Sequence, residues 1–257
     1  MKRLPRNNNL KYPLIIFLTL FHLSISAADE NEVAESDTDE EYDIISVTAS
    51  RVERRTQDVA GSIDVIDAER IESEKMFNIK DAIQGSPGVL INSKNSAYDS
   101  RLIIRGAGQK ANYGVREIMV IRDGVPMTDP DSFSRFDFID TQDIERIEIT
   151  KGPGSLFGAG SSGGTIQIIS KSVFDSDSNR IKLGVGEFGQ GNLHGRLAGD
   201  IDDSNAYSLT ASYRKSDNDW REWNEFESKQ FAFKHGYLLD SGATLESELS
   251  YHEADLQ

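Results

Sequence analysis

The 257-residue chain contains no cysteine. That excludes a disulfide framework, a thiolate metal site and a thiol nucleophile. Histidine is scarce as well, four residues scattered along the chain, and their spacing matches no metal-ligand pattern. Positive charge is in deficit: 28 Lys and Arg against 43 Asp and Glu give a formal net charge of −15. A nucleic-acid partner is therefore not expected, because phosphate binding needs clustered basic residues. The longest apolar run, Leu14 to Ile25, is too short for the roughly 20 residues of a spanning helix.

That run belongs to a different signal. Lys2, Arg3, Arg6 and Lys11 precede it, and Ser26-Ala27-Ala28 follow. A basic start, a short apolar stretch and a small-residue end predict a secretory signal over 1–28, cleaved after Ala27 or Ala28. Residues Asp29 to Asp43 then hold nine acidic side chains and no Lys or Arg. Mutual repulsion and a shortage of apolar residues predict a flexible leader, which continues to residue 55. Within it, Ile44-Ile45-Ser46-Val47-Thr48-Ala49 is a short β-prone patch. Such a segment on a tether suits capture by the sheet edge of a partner; the alternative is an ordinary first strand of the domain that follows.

The most conspicuous motif is KGPGSLFGAGSSGGTIQIISK, residues 151 to 171, with six glycines between Gly152 and Gly164. Gly158, Gly160 and Gly163 spell the G-x-G-x-x-G of a dinucleotide-binding turn. That turn requires a helix after the glycines, so that the pyrophosphate rests on the helix N-terminus. Here Thr165-Ile166-Gln167-Ile168-Ile169-Ser170 follows instead, a β-branched run that predicts a strand. The glycines therefore need a reason other than phosphate binding.

Residues 56–172 read as a small α+β domain. Ser62 to Ile66 alternates as a strand, and Asp67 can cap a helix from Ala68 to Lys75. Asn78 can cap a second helix with Ile79, Ala82 and Ile83 on one face, stopped at Gly85-Ser86-Pro87-Gly88. Strands recur at 89–91, 101–105, 117–121 and 144–149, separated by turns such as Arg105-Gly106-Ala107-Gly108 and Asp123-Gly124-Val125-Pro126.

Residues 173–257 have a different rhythm. Leu193, Leu197 and Ile201 alternate with Asn192, His194, Arg196 and Asp200, and Tyr207, Leu209, Ala211 and Tyr213 alternate with Ser208, Thr210, Ser212 and Arg214. Ile181, Leu183 and Val185, then Phe231, Phe233, Tyr237 and Leu239, then Leu245, Leu249 and Tyr251 extend the pattern to about five strands. One apolar and one polar face suit the first strands of a transmembrane β-barrel. A soluble sheet with one wet face is the alternative. The links at Asp202 to Asn205 and Asp240 to Gly242 are short, whereas Lys215 to Ser228, with Trp220 and Trp223, is long. That asymmetry distinguishes the periplasmic from the extracellular end of a barrel. Five strands cannot close, so the barrel is expected to be incomplete in this chain.

Four segments in order carry a resemblance: DIISVTA at 43 to 49, LIIRGAG at 102 to 108, IRDGVP at 121 to 126, and IERIEITKGPGSLFGAGSSGGTIQIISK at 144 to 171. Together they resemble the energy-coupling box and plug signatures of TonB-dependent outer-membrane receptors. The resemblance implies a plug seated in a barrel of about 22 strands, with glycines serving as tight backbone turns against the wall. It implies active import of a scarce solute, such as a ferric siderophore or other metal complex, with no catalysis, no cofactor and no resident metal. The box residues Asp43, Ile44, Ile45, Ser46, Val47, Thr48 and Ala49 would pair with a TonB-type inner-membrane energy-coupling protein. Arg105 and Arg146 match plug-motif arginines that would contact the barrel wall. Ligand contacts would come from two plug loops: Gln109, Lys110, Asn112 and Tyr113 in one, and Met127, Asp129, Asp131, Phe133, Arg135 and Phe136 in the other. The acidity of the second loop sits poorly with an anionic chelate and leaves a neutral or cationic solute open. The alternative to transport is a truncated, secreted plug that acts as an interaction protein.

Overall fold

The computed structural model describes residues 45–46, 54–55, 61–93, 100–110, 117–127, 136, 138–154, 160–175, 179–217 and 225–256. All of them belong to one compact unit, Tyr42–Gln257. The expected signal and acidic leader up to Ile44 lie outside the described residues.

Strands β1 (Ile45–Ser46) and β2 (Arg54–Arg55) pair antiparallel with each other. The α+β domain follows. Strand β3 (Ser62–Asp67) leads into helix α1 (Ala68–Ser73), and the Asp67 side chain accepts from the Arg70 N–H at 2.7 Å. The helix stops two residues short of the expected Lys75: Glu74 is its C-cap, and Lys75 turns to φ 53°. Helix α2 (Ile79–Gln84) starts with a reciprocal capping box, Asn78 with Asp81, which satisfies two backbone donors at once. Ile79, Ala82 and Ile83 form its buried face.

Strands β4 (Val89–Ser93) and β5 (Ser100–Ile104) form an antiparallel pair. The main sheet adds β6 (Ile118–Arg122), β7 (Val125–Pro126), β8 (Ile144–Lys151) and β9 (Gly164–Ser170) in the order β3-β8-β9-β6-β7. Among the described strands only β6 and β9 run parallel. Between the two sheets and the helices lies a core dominated by isoleucine, including Ile66, Ile79, Ile83, Ile104, Ile147, Ile149, Ile166 and Ile168. β-branched side chains suit a pleated, half-buried surface, and each contributes roughly 1.5–3 kcal/mol on full burial.

Strands β10 (Arg180–Val185), β11 (Gly191–Asp200), β12 (Asn205–Ser216), β13 (Phe226–Leu238) and β14 (Thr244–Leu256) form a second sheet, each paired antiparallel with the next. The sheet is open, with β10 and β14 at its edges. Side chains alternate as the pleat requires. His194, Arg196, Ser208, Thr210, Ser212, Arg214, Ser228, Gln230 and Lys234 point inward and are buried. Leu193, Leu197, Phe231, Phe233, Leu245, Leu249 and Tyr251 face outward and are exposed, and Val185 reaches 96 % exposure. The links at 201–204 and 239–243 are short, as expected. The link at 217–225 is shorter than the sequence suggested, because β12 runs on through Ser216 and β13 begins at Phe226. The turn at 186–190 is a short link at the same end as that longer one.

Candidate functional site

Among the described residues, the inner face of the five-strand wall carries basic side chains from every strand: Arg180 and Lys182 of β10, His194 and Arg196 of β11, Arg214 of β12, Lys234 of β13 and His252 of β14. Acids and carbonyls of the α+β domain meet them. The central contact is a single 3-10 turn, Thr141–Asp143, set just before β8. Three bonds fix that turn in place. The Asp140 side chain accepts from the Gln142 N–H at 3.0 Å, Thr141 Oγ1 donates to the Met76 carbonyl at 2.7 Å, and the Lys171 N–H donates to the Asp143 carbonyl at 2.9 Å. Both carboxylates are thereby presented to β11. His194 Nδ1 lies 2.7 Å from Asp140 Oδ2, and Arg196 Nη1 donates to Asp143 Oδ1 at 3.0 Å. Arg196 Nη2 also reaches the Ser172 carbonyl at 2.7 Å.

The environments of the two acids push them in opposite directions. Burial alone would raise the Asp140 carboxyl, but the His194 hydrogen bond and the Arg214 charge outweigh it and hold Asp140 below the ordinary carboxylate value. For Asp143 burial prevails and pushes the carboxyl up, against the charges of Lys234, Arg196 and Arg122.

Contacts on either side of this node continue the same polarity. Glu72 of α1 pairs with Lys182 at 2.9 Å and Arg180 at 3.4 Å, which holds it below its ordinary value. Arg214 donates to the Phe77 carbonyl at 3.4 Å and stacks 5.5 Å above the Phe226 ring, which meets Phe77 edge-on at 6.4 Å. At the β6–β7 turn Asp123 accepts from the Ser170 N–H at 2.8 Å and from its hydroxyl at 2.7 Å, while Lys234 bonds the same hydroxyl. Arg122 reaches across to Glu248 of β14 at 3.4 Å, and Phe138 packs against His252 at 5.2 Å. Beside them a cavity of about 630 Å³ opens between the domain and the wall, with Val125, Met127 and Phe138 on one side and Lys234, Glu246 and Glu248 on the other.

The residues expected from sequence distribute unevenly. Met127 lines that cavity. Gln109 and Lys110 are exposed, and the Gln109 carbonyl accepts from Arg101. Phe136 is a correction: at 2 % exposure it belongs to the apolar core, where a ligand cannot reach it without unpacking the domain. Asn112, Tyr113, Asp129, Asp131, Phe133 and Arg135 lie outside the described residues, as do Asp43, Ile44, Val47, Thr48 and Ala49 of the box; Ile45 and Ser46 form β1. Arg146 bonds Glu148 at 2.7 Å within its own strand, and Arg105 donates to the Lys151 carbonyl at 3.4 Å, so both arginines find these partners inside the domain. Sequence reasoning overlooked the acids Glu72, Asp140 and Asp143. A signal existed, since the polar positions of the wall strands are so often basic that acids had to face them. Among the described residues no cluster of three or more His, Asp or Glu is arranged to hold a metal ion.

The glycine motif also finds its place. Gly163 enters β9 directly, with no intervening helix. A Cβ on Gly163 would stand 2.1 Å from Ala107 Cβ and 3.0 Å from the Glu117 carbonyl oxygen. Gly163 has no room for a side chain against Ala107, Gly154 and Gly164 are closed in by Thr165 and by the Thr150 carbonyl, and Gly152 and Gly160 instead use the positive φ that glycine permits.

Comparison with known proteins agrees with this architecture. Residues 55–165 match the TonB-dependent receptor plug domain. Over 150 residues the chain is 29 % identical to the vitamin B12 transporter BtuB of Vibrio vulnificus (strain CMCP6), covering 58 % of this chain and 24 % of the relative. With the rhizobactin receptor of Rhizobium meliloti (strain 1021) it shares 27 % identity over 186 residues, 72 % of this chain and 24 % of the relative. The pyoverdine outer-membrane receptor FpvA of Pseudomonas aeruginosa PAO1 superposes with a TM-score of 0.62 at 21 % identity, over 82 % of this chain and 30 % of that one. The chain thus spans about a quarter of the length of such relatives. Residues 55–165 are thus a TonB-dependent receptor plug domain, and the similarities together support a TonB-dependent receptor of the bacterial outer membrane, with β10–β14 as strands of an incomplete barrel.

Proposed function

We propose that the complete receptor imports a scarce solute across the outer membrane in a TonB-dependent manner, with residues 56–172 as the plug and 173–257 as the first wall strands. The observation that carries this reading is the plug–wall seam: the domain packs on the polar face of a sheet whose other face is apolar. A plug held by ion pairs can be displaced, whereas one held by an apolar core could not move without unfolding. No bond in the solute needs to change, so binding and displacement suffice.

For the solute, relatives named for siderophores, hemin and vitamin B12 support a ferric siderophore or another metal complex. Asp43 to Ala49 is the segment offered to an inner-membrane energy protein for strand addition, with Ile45 and Ser46 exchanging their β2 partners for it. The ligand-facing residues are Gln109, Asn112, Tyr113, Met127, Asp129, Asp131, Phe133 and Arg135, and Arg105 and Arg146 are the arginines offered to the barrel wall. A secreted plug acting only as an interaction protein has no use for five strands with an apolar outer face, so transport is preferred. The test is Val47→Pro in the complete receptor, which removes a backbone donor from the box. Ligand binding persists and uptake stops if the box couples; unchanged uptake refutes the assignment.

A further inference from the structure

The plug has two kinds of boundary. Its interior is a closed isoleucine-rich cluster, fully buried. Its boundary with the wall is polar and incompletely satisfied. Among the described residues Asp143 Oδ2, His194 Nε2, Ser208 Oγ and Gln230 Oε1 are buried with no hydrogen-bond partner. A void of about 10 Å³ remains beside Asp140, Asp143 and Gln230. Buried polar atoms left without partners weaken an interface relative to an apolar core of the same size. Under load the seam therefore gives way before the core does.

Within the seam one place is built differently. Glu72 is half-exposed at its contacts with Arg180 and Lys182, and Lys234 stands 3.8 Å from Asp123 and 3.9 Å from Glu248. The pairs Asp140–His194 and Asp143–Arg196, by contrast, are almost fully buried on both sides at 2.7 and 3.0 Å. Separating a buried pair exposes or strands a charge, so these pairs resist parting far more than the screened ones around them. Both acids sit on one short turn, and both bases are alternate residues of one strand. They must break together.

We propose that this turn is the catch that keeps the plug seated: Asp140 and Asp143 are positioning residues that lock the 3-10 turn to His194 and Arg196 of β11, and displacement of the plug begins by parting these two pairs. The inference rests on the transport reading and adds to it the site at which occlusion is held.

The experiment uses the complete receptor in a cell that lacks other copies and lacks the energy-coupling protein. It measures entry of vancomycin, a glycopeptide too large for ordinary porins, together with the amount of heat-modifiable receptor. Asp143→Arg and Arg196→Asp each raise entry about tenfold or more, the factor that each 1.4 kcal/mol of lost seating supplies. The reciprocal double substitution restores exclusion. Where a charge reversal fails to accumulate, Asp143→Asn and His194→Gln keep the shape and give a smaller rise at unchanged abundance. Normal exclusion by abundant single variants, or a double variant as leaky as either single, overturns the catch. A receptor deleted for residues 56–172 serves as the control: exclusion by that deletion would refute the pore reading itself, which separates the two failures.

Discussion

Replacing Gly163 with alanine tests the account of the glycine-rich stretch. The new Cβ would stand 2.1 Å from Ala107 Cβ and 3.0 Å from the Glu117 carbonyl oxygen. Carbon atoms prefer about 3.5–4.0 Å, so the two turns must separate by more than 1 Å, about the difference between those distances. Overpacking of this kind costs about 1–3 kcal/mol. The separation also stretches the 2.7 Å bond from the Gly163 N–H to the Glu117 carbonyl, worth about 1 kcal/mol more. A loss of about 2–4 kcal/mol follows. With a urea slope of about 1–3 kcal/mol per molar, the unfolding midpoint falls by roughly 1–2 M.

The assay is pulse proteolysis of the purified chain in detergent across a urea series, following the band that contains the plug. Ala107→Gly supplies the decisive comparison, because it removes the atom that Gly163→Ala would strike. The double variant recovers much of the lost midpoint although Ala107→Gly alone is slightly destabilising. Gly106→Ala separates sterics from backbone strain. Gly106 has φ 89° and nothing within 4 Å of a built Cβ, so its cost is conformational, about 1–2 kcal/mol, and Ala107→Gly does not relieve it. A stable Gly163→Ala variant, or a double variant no better than the single, refutes the close-packing explanation.

Ile83→Ala empties a fully buried site on α2 and lowers plug stability by about 2–5 kcal/mol, read as an earlier urea midpoint. Asn78→Ala removes half of the α2 capping box and costs about 1 kcal/mol in the same assay. Asp140 is depressed when seated, so its stabilisation is present above the unfolded carboxylate value and is lost as pH falls through the seated one; Asp140→Asn flattens that acid limb of protease resistance. Asp143 has the opposite sign: its raised seated value favours the seated plug as pH falls toward the unfolded carboxylate value, a gain lost as pH rises through the seated value. Protease resistance of the wild-type plug that declines monotonically from neutral pH, with no rise before the fall, would count against that opposition.

Much of the fold was legible because it is written in local chemistry. Asp67 and Asn78 each cap the helix that follows them, and alternating runs marked the strands of both sheets. The wall was legible for the same reason, since period-two alternation is nearly all that an amphipathic strand requires. Boundaries were less secure. α1 ends early because Lys75 adopts a left-handed conformation, which no residue type at that position announces. Phe136 was misread because an aromatic in an acidic loop resembles a ligand contact; its burial depends on the core beneath it, and that core is assembled from residues distant in sequence.

The seam was the least legible part, for a physical reason. Asp140 and Asp143 flank two polar residues in a stretch with no helical or strand period, and nothing local separates them from solvated loop acids. Their role comes from a register: β11 places His194 and Arg196 two residues apart on the inward face, and the turn before β8 lies opposite. The inward cations and the acidic plug are each visible in composition, but their pairing is a tertiary fact. The polarity that results is also functionally specific. The wall's large apolar side chains mostly face outward, so the plug is held mainly by polar groups, with Phe226 against Phe77 as the apolar exception. Polar groups hold well only while their partners stay matched. Under the proposed catch, a plug fastened in this way would stay seated at rest and would come away as an intact body when pulled, its isoleucine core undisturbed.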